Sequence, residues 1–356
     1  MSTEMPGLPV SPIQYVKRVW ERIAPLQLAD RSWDNVGVII GPVSQFEAPS
    51  SPLDHRASLP VAMLLVSANG ISQSHYCTYH PPVSFQSPLD PVTDLLTDLP
   101  RLEVCFTFQS ESGPSLTITR SITMSNPLQA SLLKLAARGI SVFTPHTSLD
   151  ATPKGINTWY ALSVMLAWIH LMMDLIRLVK PFLDNTLSSE AITLSDQLPG
   201  FEGAGAGKLV KLKTKNSVAE IVKLVKDHLG LSYVQIATPS PERPIESIAV
   251  CAGSGGGVFK GVTADLLLTG EMSHVSFYLV PKASRSTEIP HRQQHEVLAA
   301  IAGGQSVILC NHSNTERPYL STVLQNWLET ELNSSEVDKD WEVLVSKADA
   351  DPLRTV

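Results

Sequence analysis

Cysteine is scarce in this sequence. Its 356 residues include four cysteines, none of them in a Cys-x-x-Cys pair, which argues against a disulfide framework and a structural zinc knuckle. This scarcity favours a reducing compartment. The first residues also lack the basic segment and apolar run of a secretion signal. We therefore expect a cytoplasmic protein, with the mitochondrion as the alternative.

Basic residues are too few for a general nucleic-acid-binding surface. The chain carries 27 Lys and Arg residues against 34 Asp and Glu residues, which gives a net charge of -7. Because binding to a phosphate backbone without sequence preference needs an excess of positive charge, we expect no such binding.

Long apolar runs are also scarce. The stretch from Ile156 to Met173 has no charged residue and approaches the roughly 20 apolar residues that a membrane span needs. It contains the polar residues Asn157 and His170, however, and charged residues follow at once. We interpret this stretch as a buried helix and do not expect a membrane protein.

Helix signals alternate with short apolar strands along the chain. Ser11 and Pro12 are typical of a helix start, and a helix from Asn126 is followed by Gly139 and a strand. The same order returns near residues 297–310, where a helix, two glycines and a strand follow one another. This alternation predicts an α/β fold with mixed sheets flanked by helices.

We predict an N-terminal α/β part over residues 1–160, an apolar linker over 161–199 and a C-terminal α/β part over 200–356. Three unusual stretches interrupt this pattern: residues 84–120, 162–199 and 275–294. They are rich in Ser, Thr, Pro or unpatterned apolar residues, and none presents a clean capped element. They are either long loops or translated intronic sequence, which peptide mass spectrometry would distinguish.

Two histidines directly follow predicted strands, and each precedes a carboxylate by four residues. His146 precedes Asp150, and His312 precedes Glu316. Ligands of α/β sheets gather beyond the carboxyl ends of strands, where both pairs are expected. A third histidine, His80, follows another apolar segment. Imidazole and carboxylate ligands are typical of Zn, Mn, Fe or Ni sites with open positions, so the sequence predicts a divalent-metal site.

These residues also have structural interpretations. Glu316 follows Ser313 by three residues and could be the second half of a helix capping box. His146 could be a core histidine or one that supports a ligand, and His80 could be structural. The glycine-rich run from Cys251 to Gly257 could be an anion-binding nest or simply a tight turn. These alternatives stay open at this level.

Six motifs follow one another in the sequence: Trp33-Asp-Asn-Val-Gly37, Tyr79-His-Pro-Pro82, Pro145-His-Thr-Ser-Leu-Asp150, Cys251-Ala-Gly-Ser-Gly-Gly256, Leu268-Thr-Gly-Glu-Met-Ser-His274 and Asn311-His-Ser-Asn-Thr-Glu-Arg317. As an ordered set they resemble the Nif-three-like family, the NGG-one-interacting factor three proteins, also called GTP cyclohydrolase type-2 homologues. The resemblance covers most of the chain outside the three unusual stretches.

This resemblance implies a two-domain α/β fold, a dinuclear metal centre and, in bacterial members, a ring-shaped hexamer. Carried over by motif, the implied metal ligands are His80, Asp150, His312 and Glu316, for one or two divalent ions. The chain departs from the family pattern in two places. Many members have a His-His pair where this chain has Tyr79 and His80, and residues 275–294 interrupt a motif that is normally continuous.

Two hypotheses on function follow. The first is a metal-dependent hydrolase for a phosphoester or nucleotide-like substrate, in which a bound water attacks; no catalytic base is assigned, and nothing in the chain specifies guanine recognition. The second is a non-enzymatic adaptor, related to transcription, with a structural metal site. We expect a homo-oligomer and, under the second hypothesis, a protein partner.

Overall fold

In the computed structural model, the described residues are 11–31, 34, 36–41, 61–66, 102–107, 123–125, 127–165, 186–194, 198–272, 292–334 and 341–347. Within them, the strands form two sheets. The strands are β1 (Gly37–Ile40), β2 (Val61–Val66), β3 (Leu102–Thr107), β4 (Ser141–Thr144), β5 (Thr186–Leu194), β6 (Gly205–Asn216), β7 (Gln235–Ala237), β8 (Ile245–Ser254), β9 (Leu266–Glu271), β10 (Ser306–Leu309) and β11 (Trp341–Val345).

Helices lie between and around these strands. They are α1 (Pro12–Ile23), α2 (Pro127–Ala137), α3 (Thr147–Ala151), α4 (Ile156–Met165), α5 (Val218–Leu229), α6 (Arg292–Ala302), α7 (Arg317–Tyr319) and α8 (Gln325–Asn333). A π-helical turn, Leu320–Leu324, joins α7 to α8, and 3-10 turns lie at Leu26–Leu28 and Ser313–Thr315. No helix among these described elements combines the length and apolar character that crossing a membrane requires.

The first sheet has the strand order β1-β4-β3-β2-β11. Its strands β4, β3, β2 and β11 are parallel, and β1 is antiparallel to β4. The second sheet has the order β5-β6-β8-β9-β10-β7. There β8, β9 and β10 are parallel, whereas β5, β6 and β7 pair antiparallel with their neighbours. Both sheets are mixed, and the predicted α/β fold class is confirmed.

The helix start predicted at Ser11 and Pro12 is confirmed. Ser11 is the N-cap of α1, and this helix buries one apolar face that includes Val16 and Trp20. The side chains and backbone N–H groups of Ser217 and Glu220 form a reciprocal capping box at the start of α5. Gly230 ends that helix with φ +67, a conformation that favours glycine.

One hydrophobic core extends across both sheets. Its buried members include Trp20 of α1, Phe143 of β4, Leu268 of β9, Leu328 of α8 and Trp341 of β11. Because the first and second sheets bury side chains in this common core, the packing of each one depends on the other.

Parts of the three unusual stretches lie in regular elements, although their sequences present no clean capped element. β3 lies inside 84–120 and pairs with two neighbours, β5 lies inside 162–199 and forms an edge of the second sheet, and α6 begins inside 275–294. The domain boundaries at 160 and 200 stay a prediction. β11, from the predicted C-terminal part, lies in the first sheet beside β2.

Candidate metal centre

The candidate site lies beyond the carboxyl ends of strands from both sheets. β4 leads into His146 and then α3, which carries Asp150, while β10 leads into His312 and Glu316. The charges of Glu316 and His312 both act on Asp150. β9 ends at Glu271, next to the same place. The fold therefore brings the two predicted histidine–carboxylate units together.

His312 and Glu316 are in direct contact. The 3-10 turn between them places Nε2 of His312 at 3.1 Å from Oε1 of Glu316. Glu316 is buried, and its second oxygen, Oε2, has no hydrogen-bond partner among the described residues. An unpartnered buried carboxylate oxygen is costly unless a cation or a proton meets it. This part of the site therefore suits a cation.

His312 is also held from its other side. Its Nδ1 lies 2.7 Å from Oε1 of Glu271. Burial alone would lower the pKa of His312, but the charge of Glu316 and the hydrogen bond to Glu271 raise that pKa well above its ordinary value. Both ring nitrogens thus face carboxylates.

Asp150 is the third predicted ligand that the structure describes. It lies in the short helix α3. Its burial, and to a smaller extent the charge of Glu316, raise the pKa of Asp150 to about 7. A buried carboxylate whose charge is disfavoured by a neighbouring carboxylate favours a cation or a proton beside it. Asp150 and Glu316 therefore form the acidic part of the site.

His146 is oriented by Asp34. Its Nδ1 lies 3.0 Å from Oδ1 of Asp34, while Oδ2 of Asp34 accepts hydrogen bonds from the backbone N–H and the hydroxyl of Thr147. Burial alone would lower the pKa of His146, but the hydrogen bond and charge of Asp34 raise it. The backbone of His146 has φ +33, which is strained for a residue other than glycine.

The glycine-rich run passes directly against the ligand atoms. Gly253 has φ +64, and its N–H donates a 2.8 Å hydrogen bond to Oγ1 of Thr315. A Cβ added at Gly253 would lie 2.7 Å from Oε1 of Glu316 and 3.0 Å from Nε2 of His312. This position must stay free of a side chain for the site to keep its shape.

Asn157 ties the site to both halves of the fold. Its side-chain amide donates hydrogen bonds to the carbonyl oxygens of Asp150, at 3.1 Å, and Ala206, at 2.8 Å. Its carbonyl oxygen accepts one from the N–H of Ala252, at 2.7 Å. Sequence reasoning assigned no role to Asn157 and none beyond motif membership to Glu271 or Asp34, because each has partners distant in sequence.

The predicted ligand His80 lies outside the described residues. Within the described ones, no three side chains of the His, Cys, Asp and Glu types form a group compact enough to hold a metal ion. The arrangement consists of the contacting pair His312 and Glu316, with Asp150 close enough to interact by charge. The ligand set stays a prediction.

Comparison with known proteins identifies relatives along most of the chain. The sequence profile of the Duf34/NIF3 family (NGG1p interacting factor 3) matches residues 113–293. The Protein NIF3 homolog of Schizosaccharomyces pombe is 34% identical over 343 residues, which cover 96% of this chain and 97% of that protein. The NGG1-interacting factor 3 of Saccharomyces cerevisiae is 31% identical over 343 residues and 92% of each chain.

Solved structures with low sequence identity have a similar fold. A Bacillus cereus protein related to NIF3 matches with a TM-score of 0.61 and 14% identity, over 97% of this chain and 99% of the other. Reduced HcgD from Methanocaldococcus jannaschii matches with a TM-score of 0.56 and 17% identity, over 94% and 97%. At such identities the likeness concerns the fold alone.

Proposed function

Because the chain belongs to the Duf34/NIF3 family, we propose that it is a divalent-metal-binding protein and a metal-dependent hydrolase for a phosphoester or nucleotide-like substrate. The observation that supports this most is the buried Oε2 of Glu316, which lacks a hydrogen-bond partner among the described residues. The ligands that we propose are His80, Asp150, His312 and Glu316.

The chemical types of the described donor atoms suit a divalent ion. His312 supplies an imidazole nitrogen, and Asp150 and Glu316 supply carboxylate oxygens, a mixture that suits Zn, Mn, Fe or Ni. The raised pKa of Asp150 supports the same proposal, because a cation would relieve the repulsion between its carboxylate and that of Glu316. We propose one or two ions per chain.

Such a site supports hydrolysis. A bound divalent ion lowers the pKa of a coordinated water from about 15.7 toward about 7 and polarises a phosphoryl oxygen. Asp150, His312 and Glu316 would hold that ion. Gly253 would supply space, because it presents no side chain to the ligand atoms.

Bound metal per chain tests the proposal. We expect one or two equivalents by elemental analysis of protein purified without a metal-affinity step, and almost none in a His312→Ala, Glu316→Ala double variant. The control is a His295→Ala, Glu242→Ala double variant, which removes the same residue types from exposed positions. This control should retain the metal content of the parent.

A folded parent that takes up no Zn, Mn or Fe on reconstitution would contradict the metal site. Equal loss of metal in both double variants would contradict the assignment of His312 and Glu316. If the parent binds metal, a screen of phosphoester and nucleotide substrates follows, and hydrolysis that the His312→Ala, Glu316→Ala variant loses is the expected result.

A further inference from the structure

We propose that Glu271 is a positioning residue that fixes the imidazole of His312, so that Nε2 is directed to the site. This inference rests on the metal site proposed above and adds a residue that contributes no ligand atom. It concerns the last residue of β9, which the sequence motif contains without indicating what it does.

The contact between the two side chains is short and polar. Oε1 of Glu271 lies 2.7 Å from Nδ1 of His312, a distance typical of a charge-assisted hydrogen bond. Both side chains are partly shielded from water, with 27% of Glu271 and 21% of His312 exposed. A fully exposed pair would contribute little, whereas this one holds the ring in a defined orientation.

The backbone of Glu271 is anchored at the same edge. Its carbonyl oxygen accepts hydrogen bonds from the N–H of Gly255, at 2.9 Å, and from the hydroxyl of Thr269, at 3.3 Å. The next contact along the edge joins the N–H of Asn311 to the carbonyl oxygen of Gly270, at 2.9 Å. The carboxylate and the imidazole are therefore carried by backbones that are bonded to each other.

This arrangement leaves one nitrogen for the site. With an ion bound, Nδ1 would donate its proton to Glu271 and the lone pair of Nε2 would be left for the ion; without an ion, Nε2 faces Glu316 at 3.1 Å. Carboxylates that accept the second N–H of a metal-bound histidine fix its tautomer and increase its basicity.

The other histidine of the site also has a carboxylate close to its Nδ1. Nδ1 of His146 lies 3.0 Å from Oδ1 of Asp34, as Nδ1 of His312 does from Glu271 at 2.7 Å. In both units the orienting carboxylate comes from a segment distant in sequence. This repetition favours a role in orientation over a chance surface contact.

Equilibrium binding of Co²⁺ tests this inference without any activity assay. We expect Glu271→Gln to weaken binding by roughly 10- to 100-fold, as for other residues that support a ligand. Glu246→Gln is the matched control, since it neutralises an exposed carboxylate of the same sheet, and it should bind like the parent. Glu271→Asp retains a carboxylate and should bind more tightly than Glu271→Gln.

A double-mutant cycle separates orientation from general damage to the fold. In a His312→Ala background, Glu271→Gln should cause no further loss of Co²⁺ affinity, because the ring that it orients is gone. The visible absorption spectrum of bound Co²⁺ should differ from that of the parent in the single variant Glu271→Gln. In the control Glu246→Gln it should match that of the parent.

Two results would overturn the inference: parent-like Co²⁺ affinity in Glu271→Gln, or an equal loss with and without His312. Circular dichroism of the metal-free variants checks that they fold. If Glu271→Gln does not fold, Glu271→Asp is used for the test instead. A parent that binds no Co²⁺ would instead refute the metal site itself, so the two failures are distinguishable.

Discussion

Gly253 shows how a single residue can limit the site. Its backbone lies where a Cβ would approach Glu316 Oε1 at 2.7 Å and His312 Nε2 at 3.0 Å. We expect Gly253→Ala to weaken divalent-metal binding at least tenfold, because the methyl group would displace the ligand atoms. We also expect it to destabilise the fold by about 1 to 2 kcal/mol, since alanine disfavours a positive φ.

Gly230→Ala is the matched control for this prediction. Gly230 has φ +67, close to the φ +64 of Gly253, but a Cβ there would meet no atom within 4 Å. Both variants should therefore lose similar stability in urea denaturation, and only Gly253→Ala should lose metal affinity by calorimetric titration. Equal metal affinity in the two variants would show that the space at Gly253 is unimportant.

At the residue scale, the sequence could predict the ligand candidates but not their supports. His312 and Glu316 are marked by local spacing after a strand, and the structure brings them into contact. Glu271 and Asp34 are distant in sequence from the histidines that they orient, so only the paired strands and packed loops reveal them. Glu316 is the C-cap of the 3-10 turn and forms no side-chain cap at the start of α7.

At the element scale, Asp265 joins the starts of β8 and β9. Its Oδ2 accepts hydrogen bonds from the N–H of Glu246, at 3.0 Å, and from the N–H and hydroxyl of Ser247, both at 2.9 Å. Burial alone would raise the pKa of Asp265, but these hydrogen bonds, with a smaller effect of half-exposed Arg243, lower it.

We expect Asp265→Asn to destabilise the protein at neutral pH by about 1.5 to 3 kcal/mol, the range for lost hydrogen bonds to a charged group. Because the folded-state pKa is lowered, this stabilisation is present above the unfolded pKa of roughly 4 and is lost as the pH falls through the folded-state value. Urea denaturation of parent and variant at several pH values measures the difference, which should shrink in acid.

The control for this prediction is Asp227→Asn, at an exposed position of α5. It should change stability little at any pH. A difference between parent and Asp265→Asn that stays constant down to acidic pH would show that the Asp265 carboxylate does not act through its charge.

The elements themselves were predictable where local signals are strong. The capping box of α5 and the helix–glycine–strand units ending in β4 and β10 follow from neighbouring residues. β3 and β5 were missed because their Ser-, Thr- and Pro-rich surroundings give no periodic pattern. These strands are defined by pairing with strands elsewhere in the chain, which local propensity does not contain.

At the scale of the whole molecule, Trp341 joins distant parts of the chain. It is buried in β11, its ring stacks on Tyr15 of α1 with centroids 5.6 Å apart, and its backbone N–H donates to Asn333 Oδ1 at 2.8 Å. We expect Trp341→Ala to lower the free energy of unfolding by about 3 to 5 kcal/mol, the usual cost of deleting a buried aromatic side chain.

Urea denaturation followed by circular dichroism measures this loss. Trp327→Ala is the control, because Trp327 is only partly buried at the edge of the core. It should cost clearly less than Trp341→Ala. Similar losses in the two variants would mean that β11 contributes little to the common core.

The pairing of β11 with β2 has a consequence for the nascent chain. β2 begins at Val61, but β11, which pairs with one edge of β2, begins only at Trp341. All strands of the second sheet lie between Thr186 and Leu309. At ribosomal rates of about 5 to 20 residues per second, β11 is synthesised roughly ten to sixty seconds after β2. During that interval one of its edges is open to wrong partners, so the first sheet is where we expect a chaperone to bind during translation.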